Sequence, residues 1–237
     1  MAKKVFLGIG HGGADSGAVG NGLKEKDLTL SIGLACYSEL VRHGVTVLMS
    51  RTKDENDALT EEIKECNAFK PDLAVDIHIN AAGGDGAETF YHYKGGTSLL
   101  LATNITSEIA KIGQNLRTGS NGKANGLKYK LNSSGNDYFG FIRETSAPAV
   151  IVECAFIDNK TDIAIIDTLA EQKAMGVAIA KGILKTLGIK YVEEKKPETT
   201  NTPQTLYKVQ VGAFFNKANA AELVNKLKKD GYDAIIV

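Results

Sequence analysis

Residues 72–80 read DLAVDIHIN, and this stretch decides the fold. Pro71 stops the helix-patterned run 58–69 that precedes it, because proline supplies no N–H to a helix and clashes with the preceding turn. The residues after Pro71 are β-branched and alternating: Val75, Ile77 and Ile79 share one face, Asp76, His78 and Asn80 the other. One face packs and the other is free for chemistry. Working outward toward the N-terminus, 45–50 (VTVLMS) is a second apolar strand, 27–43 a helix closed by Gly44, and 4–10 (KVFLGIG) a strand that runs into a glycine-rich loop. Toward the C-terminus, 88–93 (ETFYHY) and 147–154 (APAVIVEC) read as strands, 98–112 as a helix, and 163–187 as helix in one or two pieces. Strand and helix alternate, which predicts βαβ units. The expected fold is α/β, a mostly parallel twisted sheet with helices on both faces.

The whole chain has 237 residues with 28 Lys+Arg against 28 Asp+Glu. That balance argues against nucleic acid or a polybasic membrane contact, both of which need a local excess of positive charge. No apolar run approaches the roughly 18 residues of a membrane helix, and the start MAKKVFLGIG runs into Gly and His with no cleavable apolar segment. The expectation is a protein without membrane insertion or secretion leader. Cys36, Cys66 and Cys154 fit no CxxC spacing and read as reduced, structural thiols. Residues 117–140, rich in Gly, Asn and Ser, read as a long surface loop with room for one short strand. Composition changes sharply over 190–205 (KYVEEKKPETTNTPQT), which is linker-like. After it, 206–237 carries the pattern of a single βαβ unit, with a helix over about 218–229. The chain thus divides into 1–189, a linker 190–205, and 206–237.

In open parallel sheets ligands bind beyond the carboxyl ends of the strands. His11 follows the first strand, Arg51 the second, His78 lies near the end of the third, and Glu153 near the end of the strand beginning at Ala147. Glu153 follows Ala-Val-Ile-Val and precedes Cys-Ala-Phe, and a carboxylate in such surroundings needs a partner or a metal. A catalytic role competes with a buried ion pair to Arg51 or Arg143. Glu25 and Asp15 are both within reach of His11 as a third donor. Two His and one carboxylate with an open fourth position form a zinc-hydrolase ligand set, for which Glu153 would shuttle the proton. The run Gly8-Ile9-Gly10-His11-Gly12-Gly13 matches GxGxxG, but small residues and glycines continue to Gly22 where a dinucleotide fingerprint would open a helix, and Arg51 stands where an acidic residue is needed. His43 reads as a helix-end residue and His92 as a polar position on a half-exposed strand. Cys154 should face away from Glu153. No GxSxG elbow is present.

Four separated motifs in order, GHGGADSGAVGNGLKEKDLTL from Gly10, SRTKD from Ser50, VDIHINA from Val75 and RETSAPAVIVECAFIDN from Arg143, resemble the zinc-dependent N-acetylmuramoyl-L-alanine amidases of the Amidase_3 family over about residues 4–188. The resemblance implies a zinc-exopeptidase-like fold, one zinc ion held by His11, Glu25 and His78, and Glu153 as the catalytic carboxylate. It also implies a peptidoglycan substrate, cut between the lactyl group of N-acetylmuramic acid and L-alanine. This chain has Ile9-Gly10 where the family often has Asp-Pro, and Asp76 where Ser is common; Asp76 would either orient His78 or pair with Arg51. The segment 206–237 is similar to the first half of a SPOR domain, a peptidoglycan-binding module of ferredoxin-like βαββαβ fold. A module shortened to one half and two halves pairing from two chains both fit, which leaves the oligomeric state open. The family and the leaderless start together suggest a phage lysin or an autolysin released by lysis. A zinc peptidase or aminoacylase of related fold, and a wall-binding protein without activity, are the competing functions.

Overall fold

The computed structural model describes residues 2–194, 210–232 and 234–236. These fall into two compact units, Met1–Tyr191 and Val192–Val237.

In the first unit, β1 (Lys4–Ile9) leads through a hairpin of β2 (Val19–Gly20) and β3 (Leu23–Lys24) into α1 (Glu25–Arg42). Then come β4 (Thr46–Met49), α2 (Leu59–Phe69), β5 (Leu73–Asn80), β6 (Glu88–Tyr91), α3 (Thr97–Lys111), β7 (Leu127–Lys128), α4 (Gly140–Glu144), β8 (Ala149–Phe156), α5 (Lys160–Ile163) and α6 (Leu169–Thr186). Six strands form one sheet in the order β4-β1-β5-β8-β6-β7. All pairings are parallel except β6 with β8. The exception has a simple cause: only residues 81–87 separate β5 from β6, too few for the crossover that a parallel return needs, so the chain turns and runs back down the sheet.

Alternation along the strands sorts two cores. Val5, Leu7, Ile9, Val75, Ile77, Val150, Val152 and Cys154 pack against α1, α3 and α6. Phe6, Ala74, Ala149 and Ile151 pack on the other face against Ile63 and Cys66 of α2 and Phe141 and Ile142 of α4. Each fully buried Ile or Leu contributes about 1.5–3 kcal/mol by leaving water. Helix α6 fits closely beside its neighbours because it carries glycines at the crossings. A Cβ on Gly182 would stand 2.7 Å from the backbone N of Ile105, and one on Gly176 2.7 Å from Ala35 Cβ. Thr168 and Glu171 form a reciprocal capping box that starts α6. This is why the helical pattern over 163–187 splits into α5 and α6. Helix α4 lies at the end of the glycine-rich stretch, whose composition hides it in the sequence.

All three cysteines are free and buried, and no helix among the described residues is long and apolar enough to cross a membrane. In the second unit, α7 (Lys217–Lys229) is capped by Asn216, whose side chain accepts from Ala218 N at 2.8 Å. The strands expected on either side of it are not found at 210–213 or 234–236, and the rest of those two stretches lies outside the described residues, as does most of the linker. A strand has no hydrogen-bonded identity without a neighbour, and a single βαβ supplies at most one.

Candidate active site

Four segments converge at the carboxyl end of β1 and β5. After β1 the chain turns through His11, Gly12 and Gly13, all at positive φ (63°, 147° and 57°). For His11 this left-handed backbone is strained, and it is over-determined by its surroundings. Gly12 N donates to Asp15 O at 2.9 Å and Asp15 N to Gly12 O at 3.0 Å. Lys26 Nζ donates to Gly13 O and Asp54 Oδ2, while Gly13 N donates to Asp54 Oδ1. The loop then passes through the β2–β3 hairpin before α1 opens, so the glycine motif never meets a helix N-terminus as a dinucleotide loop would.

Glu25 is the first residue of α1, where the helix dipole favours a carboxylate, and it is 3% exposed. Its Oε2 lies 3.1 Å from His11 Nε2 and accepts from Ala18 N at 2.8 Å. Its Oε1 lies 3.1 Å from His78 Nδ1 and accepts from Ile79 N at 2.9 Å. The imidazoles meet edge to face with centroids 5.2 Å apart. One donor atom from each of His11, Glu25 and His78 lies within 4.8 Å of the others, a grouping that can hold a metal ion. Gly10 makes room for it: a Cβ there would stand 2.6 Å from His78 Nδ1 and 2.7 Å from His78 Nε2.

The far nitrogen of each ring faces another carboxylate. His11 Nδ1 is 2.8 Å from Asp15 Oδ2, and His78 Nε2 is 3.1 Å from Asp76 Oδ2. Such partners fix the tautomer and orientation of a ligating histidine. Asp15, within reach of His11 in the sequence, is thus a partner of its outer nitrogen, while Glu25 sits between the two rings. Asp76 pairs with His78 and not with Arg51.

Parallel pairing places Glu153 of β8 directly beside His78 of β5, and antiparallel pairing places Glu88 of β6 directly beside Glu153. All three side chains therefore share one face of the sheet. Glu153 Oε2 is buried with no hydrogen-bond partner. The ion pairs weighed for it do not form. Arg51 donates instead to Ile9 O, Lys53 O, Lys26 O and Thr29 Oγ1, bracing the loop after β1. Arg143 donates to the carbonyls of Asp137 and Tyr138 and pairs with Glu144.

The electrostatics follow from this crowding. Burial pushes the Glu153 carboxyl up to about 7; His78 opposes the shift, and the carboxylates of Glu25, Glu88 and Asp76 add to it. Glu25 resists its own burial and is held well below the usual range by hydrogen bonds from His11 and His78. His11 is raised, chiefly by Glu25. Burial works against charge on His78, yet Asp76, Glu25 and Glu153 raise it well above its ordinary value. A metal ion bound between the rings has to displace these protons.

His43 and His92 stand apart. His43 Nδ1 lies 2.7 Å from Glu39 O at the end of α1, and His92 Nε2 lies 3.2 Å from Asp137 Oδ2. Cys154 is buried in the α1/α3/α6 core, away from Glu153. Three carboxylates near the site had no part in the sequence argument. Glu62 and Asp57 join Asp76, His78 and His11 around a cavity of about 270 Å³, and burial, then Asp76 and Asp57, raise the Glu62 carboxyl well above its usual value. The signal for Glu62 was its place beside Ile63 on the inner stripe of α2. Glu88, 4% exposed, opens a strand whose other residues are apolar, aromatic or β-branched.

A mixed α/β sheet with a His, Glu, His donor cluster and a proton-poised carboxyl beside it has the outline of a metal-dependent hydrolase. Comparison with known proteins narrows this. The profile of the N-acetylmuramoyl-L-alanine amidase family matches residues 5–185, and that of the SPOR domain matches 180–237. The N-acetylmuramoyl-L-alanine amidase CwlM of Bacillus licheniformis is 32% identical over 237 residues, covering 99% of this chain and 84% of that protein. The endolysin of Bacillus phage SPP1 is 34% identical over 242 residues, covering 97% and 86%. Among solved structures, the catalytic domain of CwlV, an N-acetylmuramoyl-L-alanine amidase from Bacillus (Paenibacillus) polymyxa var. colistinus, superposes with a TM-score of 0.68 at 29% identity, over 79% of this chain and 99% of that domain. The chain belongs to the N-acetylmuramoyl-L-alanine amidase family.

Proposed function

We propose that this chain hydrolyses the amide between the lactyl group of N-acetylmuramic acid and L-alanine of the peptidoglycan stem peptide, with His11, Glu25 and His78 holding one zinc ion and Glu153 moving the proton. The observation that carries it is the convergence of an N, O, N donor set within 4.8 Å beside a carboxyl whose Oε2 has no partner. The donors fit zinc: two neutral imidazoles and one carboxylate are a zinc-hydrolase set with a position left for water. A zinc ion held by His11, Glu25 and His78 would supply Lewis acidity toward a water and the scissile carbonyl.

The protein's own groups do the rest. Glu25 bridges the two histidines and fixes their spacing, and Asp15 and Asp76 hold their outer N–H groups. Glu153, as carboxylate, accepts a proton from the attacking water. The acid so formed, which burial favours over its carboxylate, returns the proton to the alanine nitrogen as the C–N bond breaks, which releases an amine in place of an amide anion. The residues 1–189 form the catalytic part and 206–237 a wall-binding part, acting on the wall after release from the cell that makes them.

Metal analysis on purified variants tests the assignment. Wild type should bind about one zinc per chain, His11→Ala and His78→Ala far less, and Glu153→Ala the full complement without activity. Full zinc in the histidine variants, or full activity in Glu153→Ala, would refute it.

A further inference from the structure

Beyond the triad, the same sheet face carries a second set of polar groups. Glu88 lies two strands from His78, about 10 Å at the usual strand spacing. Its Oε1 accepts from Asn80 Nδ2 at 2.8 Å. Its Oε2 lies at ion-pair distance from two cations, Arg117 Nε at 3.1 Å and Lys128 Nζ at 2.9 Å, without either contact being aligned as a hydrogen bond. Lys128 pairs in register with Phe90, and Phe90 with Ile151, so the lysine rises from the face that holds Glu153 and His78. Arg117 is steadied from one side by the Phe156 ring, 4.7 Å from the guanidinium carbon.

Two cations on one carboxylate leave a local excess of positive charge. Glu88 is almost wholly buried, whereas the side chains of Arg117 and Lys128 remain 31% and 23% exposed. Among the described residues the carboxylate each cation pairs with is that of Glu88. A buried acid that spends itself orienting two partly exposed cations beside an active site is the arrangement of an anion subsite.

We propose that Arg117 and Lys128, aligned by Glu88, form a subsite for a carboxylate on the peptide side of the scissile amide. This rests on the amidase function proposed above. The substrate's acyl side is an N-acetylated, uncharged sugar, so a negative charge at this distance belongs to the peptide. An extended chain advances about 3.3–3.6 Å per residue, and with the length of the Arg and Lys side chains this places the carboxylate on the second residue beyond the bond that is cut. Arg117 and Lys128 are specificity residues, and Glu88 is a positioning residue.

The test uses the full chain and two synthetic muramyl tripeptides that begin with L-alanine and differ only at the second residue, glutamate with a free α-carboxyl group or its carboxamide. Wild type should cleave the acid with about tenfold higher kcat/KM, the difference lying in KM, as expected when a binding contact is removed. In Lys128→Met and Arg117→Gln the ratio should fall toward one, and Lys128→Arg should keep most of the preference. Equal cleavage of both substrates by wild type, or an unchanged ratio in both variants, overturns the subsite and leaves the amidase function standing. Failure of wild type to release N-terminal alanine from either substrate overturns both. Matching melting temperatures ensure that a loss reflects recognition and not unfolding.

Discussion

The buried carboxyl of Glu153 should destabilise the metal-free protein. In the folded chain its carboxyl titrates near 7, against 4.5 ordinarily, so between those values the native state binds a proton that the unfolded chain has released. The contribution of Glu153 to stability therefore falls as pH rises from 4.5 to 7 and is level outside that window. At about 1.4 kcal/mol for each tenfold change in acidity the full penalty is about 3 kcal/mol above pH 7. Replacing Glu153 by Gln keeps the shape and removes the charge. With metal chelated, Glu153→Gln should be more stable than wild type by about 2–3 kcal/mol at pH 8, or roughly 5–10 °C in melting temperature. At pH 4.5 the two proteins should melt almost together. Activity of the zinc-loaded variant should fall by about 10²–10⁴-fold, the usual loss when a general base is removed. Thermal unfolding in chelator at the two pH values, paired with an amine-release assay, reads both effects. A variant no more stable than wild type at pH 8, or more stable by the same amount at pH 4.5, would show that Glu153 is not held against its charge.

Three further outcomes are expected from the same geometry. Gly10→Ala places a methyl group where the His78 ring lies, so zinc affinity and activity should both collapse, as metal titration would show; a variant with normal zinc content would contradict the packing at that point. Gly182→Ala drives a Cβ against the Ile105 backbone and should cost about 1–3 kcal/mol in urea unfolding, the usual range for an overpacked core, with the zinc content of the folded fraction unchanged. Chelation should abolish activity and lower the melting temperature, and added zinc should restore both, because a ligand that binds only the folded state stabilises it; activity that survives exhaustive chelation is the opposing result.

The main strands and helices of the first unit, β1, β4, β5, β6, β8, α1, α2, α3 and α6, and the two histidines were legible because their signals are local. DLAVDIHIN alternates, Pro71 marks its start, and His11 and Glu153 follow or close apolar runs. The position of Glu25 was not legible from spacing alone, since Asp15 is nearer to His11 in sequence; the resemblance chose it, and the structure explains why it fits. Only as the first residue of α1 can it lie between the two rings, whereas Asp15 reaches the outer nitrogen of His11. Arg51 looked functional for its place after a strand, yet its guanidinium is spent on backbone carbonyls, which no sequence pattern reveals. Glu88 escaped notice because its partners, Arg117 and Lys128, come from a loop without periodicity. The reversed direction of β6 is likewise a property of a short connection and a long-range pairing, not of the strand's own residues.

The most direct test is to incubate purified peptidoglycan with the wild-type chain, with Glu153→Ala and with chelated protein, and to label the amino termini that appear. New N-terminal alanine with wild type and zinc alone is the predicted result. Termini of other residues would mean a peptidase, and no new termini with the zinc-loaded wild type would contradict the hydrolytic account altogether.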